Sequence, residues 1–249
     1  MSPAPHSPAI LDIHQLHFAH AGEPALAAGW SARIGPGVTL LQGDTGSGKS
    51  TLLRLLAGQL PGTPATGQRT LGGVDFDADP AAYRRQLFLC DLATNAFDQM
   101  SGRECAAAWS ADDPGFRADE WQALVEGFSL AEHIDKKLFM LSTGSRRKVW
   151  LAYALASGRP LVLLDEPTGG LDAPSTRCLW AALTRVAASG QRVAVGVAHG
   201  AVSFIGTGVC IGGLHGPLEG AVGADVVAAI GVGVLQAALG AGGGAVGHK

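Results

Sequence analysis

Residues 43–51 read GDTGSGKST, and this stretch decides the fold. Gly43, Asp44, Thr45, Gly46, Ser47, Gly48, Lys49 and Ser50 satisfy G-x-x-x-x-G-K-[ST] in full. Ahead of them, GVTLLQ at 37–42 is a short apolar run that reads as a buried strand. Behind them, 49–60 carries Leu52, Leu53, Leu55, Leu56 and Leu60 as a helical stripe, stopped by Pro61-Gly62. Strand, glycine loop and helix in that order make a cradle for phosphate. The glycines let successive backbone N–H groups converge on phosphate oxygens, and the helix points its positive end at the same place. Lys49 is placed to reach the β- and γ-phosphates, the Ser50 hydroxyl to ligate Mg²⁺, and Thr51 to touch the α-phosphate.

Working outward, LVLLDEP at 161–167 is a buried apolar strand with two acids emerging at its end. Asp165 suits the outer shell of Mg²⁺, and Glu166 suits a general base that orients an attacking water. Alone, such a pair is equally well a helix cap; the glycine loop upstream favours a site. Between the two motifs, LSTGS at 141–145 precedes Arg146-Arg147-Lys148-Val149. This is a second helix start with exposed N–H donors and a hydroxyl, and standing alone it reads as a cap.

Around these motifs, segments 9–20, 68–76, 86–90, 161–164 and 192–198 read as strands. Segments 142–157 and 174–188 read as helices, the latter closed by Gly190. Residues 92–140 are more polar, with Trp109 and Trp121 and helical spacing at 120–128, and read as a helical insertion. Strands alternating with helices imply a mainly parallel sheet with ligands at the strands' carboxyl ends. No internal repeat is visible.

The three motifs in this order resemble the ATPase of the ATP-binding cassette family, over roughly residues 10–200. That resemblance implies an α/β P-loop NTPase with a mainly parallel sheet and a small antiparallel β part at the N-terminus. It further implies a single ATPase domain over 1–199, with a helical subdomain inserted at about 92–158. ATP and Mg²⁺ are the implied cofactors, with Glu166, His199 and Lys49 as the catalytic set. Adjacent Asp165 and Glu166 mark a hydrolytically competent site in the family. Ser142 and Gly144 match its LSGGQ signature, while Thr143 and Ser145 depart from it. Gly169-Gly170-Leu171-Asp172 resembles its D-loop, and Asp172 is also a plausible N-cap for the helix containing Pro174. In the family the signature meets the γ-phosphate held by another cassette. One loop and one signature per chain thus imply a head-to-tail pair, as a homodimer or with a related cassette. Transmembrane permease subunits would be further partners.

Three positions bend the family pattern or lean on it. His20 stands where an aromatic ring stacks on adenine, and imidazole stacks with less area. Strict alternation would put His14 and His20 on one strand face and His17 on the other, which argues against a metal cluster. Asp91 stands where the Q-loop glutamine is expected; an acid can ligate Mg²⁺ but cannot donate a hydrogen bond. His199 ends the strand 192–198, where the family carries the histidine that touches the γ-phosphate.

Composition sets outer bounds. A net charge of −3 and a pI near 6.2 give no basic excess to neutralise nucleic-acid phosphates. Cys90, Cys105, Cys178 and Cys210 form no C-x-x-C pair, which favours reduced thiols over disulfides or zinc. The first residues have no basic or apolar leader pattern, so a cytoplasmic chain peripheral to the inner face of the membrane is expected. From Gly200 onward only Glu219, Asp225 and Lys249 carry charge, and Gly, Ala and Val dominate. That composition makes a poor membrane span and suggests a tail over 200–249 that is either divergent and loosely folded or frame-shifted. The function expected is an ATP-hydrolysing subunit that energises a membrane transporter. A soluble mechanical ATPase and an ATP-binding module without turnover are the alternatives.

Overall fold

A computed structural model describes residues 10–20, 25–43, 46, 48–60, 65–198 and 226–229. Asp44, Thr45, Ser47, His199 and nearly all of the 200–249 tail lie outside them. The chain opens with β1 (Leu11–Ala19), β2 (Ala25–Ile34) and β3 (Gly37–Gly43), then α1 (Lys49–Leu56). The hairpin β4 (Thr66–Leu71) and β5 (Val74–Asp75) follows, then α2 (Pro80–Arg85) and β6 (Leu87–Cys90). Three helices come next: α3 (Gly102–Ser110), α4 (Ala118–Gly127) and α5 (Thr143–Ala156). The last elements are β7 (Leu161–Leu164), α6 (Ala173–Ser189), β8 (Val193–Ala198) and β9 (Val226–Ala229).

Two sheets result. One is antiparallel, in the order β2-β1-β4-β5; the other runs β6-β7-β8-β3-β9, with β6, β7, β8 and β3 parallel and β9 antiparallel to β3. Side chains alternate across a strand, and β7 uses both faces. Leu161 and Leu163 join Leu52, Leu53, Leu56 and the antiparallel sheet in one core. Val162 and Leu164 join the core made with α3–α6. All four are at most 1% exposed, which is why this strand is a continuous apolar run. The helical side is filled by rings: Trp109 and Trp150 lie 4.5 Å apart by centroid, and Phe88 and Tyr153 4.6 Å. Burying each such side chain contributes about 1.5–3 kcal/mol of hydrophobic stabilisation.

Polar ties hold that side in register. Asp113, 4% exposed, accepts from Ser157 Oγ at 2.6 Å, from the Tyr153 hydroxyl at 3.2 Å and from Gly158 N. Burial raises the Tyr153 phenol above its ordinary pKa, so it remains a donor. Buried Arg192 donates to the Leu155 and Ala154 carbonyls at the end of α5, both at 3.0 Å. Desolvation lowers its pKa to about 10.

Several expectations are revised. The run 68–76 is a hairpin, broken at Gly72 and Gly73, which both take positive φ. Gln15, at φ 49°, is an extra residue in β1, and the pairing register slips between Ile13 and Leu16. The slip leaves both His14 and His17 exposed, while His20 packs edge-on against buried Phe18; strict alternation therefore misassigns these histidines. β2, α2 and α3 are further elements, and the helix expected over 49–60 ends at Leu56. In the tail, β9 covers the free side of β3. Among the described residues no helix is long and apolar enough to cross a membrane.

Candidate ATP site

β3 delivers the chain to the glycine loop, and α1 carries it away. Gly46 and Gly48 take φ of 82° and 88°, conformations that L side chains rarely adopt. A Cβ on Gly48 would also collide with the Leu26 side chain of β2, so the antiparallel sheet buttresses the loop. Gly48 is the N-cap of α1 and supplies no side-chain cap, leaving the first-turn N–H groups directed out of the helix end. Lys49 is 3% exposed, and Ser50 half-buried. Ser50 Oγ donates to Asp165 Oδ1 at 3.0 Å, so the acidic strand end and the loop helix meet.

Parallel pairing of Cys90 with Leu164 sets Asp91 and Asp165 at neighbouring strand ends. Glu166 holds φ at 47°, and its carbonyl accepts from Gly169 N at 3.0 Å. Asp91, expected to serve Mg²⁺, also meets donors of the protein. Its Oδ1 accepts from Arg54 of α1 at 3.4 Å and from Ala93 N at 3.0 Å. Arg54 had no role in the sequence reading, although its spacing of four from Ser50 places both on one helix face.

The signature and the D-loop are joined within the chain. Ser142 caps α5 by accepting from Ser145 N at 3.1 Å. A Cβ on Gly144 would stand 2.7 Å from the Gly170 carbonyl. Arg147 donates to the Gly169 carbonyl, and Lys148 Nζ meets Asp172 Oδ2 at 2.8 Å. Asp172 Oδ1 accepts from Ser175 N at 2.7 Å, so the N-cap reading of this residue is realised. Hydrogen bonds from Lys148 and then from Ser175 hold its carboxyl well below the usual carboxylate range. His20 is exposed at the end of β1, its ring 5.0 Å from that of Phe18. Burial pushes the Cys90 thiol up to about 12, which suits a packing role beneath Asp91.

The donor set suits Mg²⁺. One hydroxyl and one carboxylate brought together are oxygen ligands of the kind Mg²⁺ takes beside phosphates and water. Among the described residues no cluster of three or more His, Cys, Asp or Glu could hold a metal by protein groups alone.

Comparison with known proteins gives the class. The ABC transporter family profile matches residues 30–169. The chain is 38% identical over 192 residues to the cytochrome c biogenesis ATP-binding export protein CcmA of Rhodospirillum rubrum, covering 77% of this chain and 81% of the relative. It is 33% identical over 147 residues to the phospholipid-transporting ATPase ABCA3 of Mus musculus, covering 57% of this chain but 8% of that protein. An ABC transporter ATP-binding/permease protein of Mycobacterium tuberculosis is 31% identical over 193 residues, 74% of this chain and 22% of the relative. In fold, the chain matches the solved ATP-binding subunit of an ABC transporter with TM-score 0.65 and 21% identity, over 76% of this chain and 79% of that one. A bacterial Atm1-family ABC exporter with ATP bound matches with TM-score 0.60 and 22% identity, over 80% and 37%.

The chain belongs to the ABC transporter family, as an ATP-binding module with the α/β P-loop fold.

Proposed function

We propose that this chain binds and hydrolyses ATP to energise a membrane transporter whose spanning subunits are separate chains. The Ser50–Asp165 hydrogen bond supports the reading most directly, because it unites a complete phosphate loop with the acidic strand end. The phosphates would lie against the N–H groups of 43–51, with Lys49 on the β- and γ-phosphates and Thr51 on the α-phosphate. Ser50 and Asp165 would hold Mg²⁺, which when bound neutralises charge on the phosphate oxygens. Glu166 would orient the attacking water and take its proton, with His199 beside the γ-phosphate and His20 against adenine.

Ser142 and Gly144 would approach the γ-phosphate held by a second cassette, with Asp172 at the same interface, so that two chains enclose two nucleotides. The likeness to an ATP-binding export protein supports permease partners and a peripheral place at the inner face of the membrane. Phosphate release by the wild-type chain and by Glu166→Gln, alone and with co-purified membrane partners, tests the reading. Turnover should fall by at least about a hundredfold in the variant. Equal rates in the two would sink it.

A further inference from the structure

Resting on that ATP site, we propose that Arg54 is a positioning residue for the nucleotide: it neutralises Asp91 and so keeps a bare carboxylate from facing the phosphates. Ser50 and Arg54 stand one turn apart on the same face of α1. Ser50 reaches Asp165 at the end of β7, and Arg54 reaches Asp91 at the end of β6. Because β6 and β7 pair in parallel at Cys90 and Leu164, the two contacts form neighbouring rungs between one helix and two adjoining strand ends.

Asp91 and the loop that follows it are held by further contacts. Asp91 also accepts from Ala93 N, which turns the chain immediately after the strand. Further along the same loop, Arg146 of α5 meets Asp98 at 2.8 Å and donates to the Thr94 carbonyl. The loop is thus tied at one end to the helix of the phosphate loop and at the other to the helix of the signature.

The physical need is clear. A triphosphate carries several negative charges, and an unpaired carboxylate at the adjoining strand end repels it through a partly screened medium. A neutral amide at position 91 would require no partner. An acid requires one, and Arg54 supplies it. Asp91 is therefore compensated by the protein itself rather than by Mg²⁺.

The test uses the full chain and equilibrium binding of a fluorescent ATP analogue with Mg²⁺, with thermal melts to verify folding. Arg54→Ala should weaken binding about tenfold by uncovering Asp91. Adding Asp91→Asn to that variant should restore it to within about twofold of wild type, whereas Asp91→Asn alone should bind about threefold tighter. A folded Arg54→Ala that binds as wild type, or a double variant as weak as Arg54→Ala, overturns the proposal. So does a higher Mg²⁺ requirement in Asp91→Asn, which would make Asp91 a ligand. Lys49→Ala separates the two readings. If wild type binds and Lys49→Ala does not, any failure belongs to the Arg54 proposal alone. If folded wild type does not bind, the ATP reading falls and takes the proposal with it.

Discussion

Ser50 Oγ donates to Asp165 Oδ1 across 3.0 Å, closing a separation of 115 residues in sequence. This bond fixes the distance between the phosphate loop and the strand end that follows β7. Ser50→Ala and Asp165→Asn should each reduce Mg²⁺-dependent phosphate release by about a hundredfold or more. Their stability should change by only about 0.5–1.5 kcal/mol, the usual net worth of one hydrogen bond. Steady-state kinetics and urea titration on the same preparations report both numbers.

The Lys148–Asp172 pair gives a pH dependence of known sign. The Asp172 carboxyl is held below its ordinary pKa of 3.8, chiefly by Lys148 and then by Ser175. A group depressed on folding contributes stability above its unfolded pKa and loses it as pH falls toward the folded value. Wild type should therefore lose stability below about pH 4 more steeply than Asp172→Asn, whose melting temperature should be lower at pH 7 and nearly level across that window. Asp172 is well exposed, so the difference should shrink in high salt.

Gly144→Ala examines how closely the signature helix rests on the D-loop. The new methyl would lie 2.7 Å from the Gly170 carbonyl, and backbone must move to admit it. The expected destabilisation is about 1–3 kcal/mol, as for other overpacked sites. Differential scanning calorimetry should show a lower melting temperature. An unchanged melt would mean that the D-loop yields freely.

Asp113→Ala should be among the most damaging changes far from the phosphate loop. It removes the shared acceptor of Tyr153, Ser157 and Gly158 in a buried setting. Stranding the Ser157 and Gly158 donors, while the Tyr153 hydroxyl keeps the Trp109 carbonyl at 2.6 Å, should cost about 2–4 kcal/mol, measured by chemical denaturation. Nucleotide affinity of the folded fraction should be unaffected, because no contact of Asp113 involves the glycine loop.

Much of this was legible in the sequence because it is local. The span of β7 and the start of α6 follow from runs and caps that neighbouring residues specify completely. The capping box of Ser101 and Glu104 at the start of α3, and Asp79-Pro80 at the start of α2, were equally local signals that went unused. β2 is harder to read, since Gly29 at φ 78° interrupts its alternation. The Arg54–Asp91 pair and the seat of Leu26 against Gly48 lie beyond any periodicity. They arise from which helix crosses which strand end, and only tertiary packing determines that.

The backbone of Glu166 stands in a left-handed conformation that costs a residue with a Cβ about 1–2 kcal/mol. Glycine would adopt that shape without strain, offset by the roughly 0.5–1 kcal/mol of extra backbone freedom it loses on folding. Glu166→Gly should relieve about 0.5–1 kcal/mol of net backbone cost, set against the interactions Glu166 makes, while giving up the carboxylate proposed to orient the water. On that proposed role, relief of backbone strain and turnover would pull in opposite directions at this one position. A screen for heat resistance alone would favour glycine here, whereas the proposed water-orienting role would favour the acid.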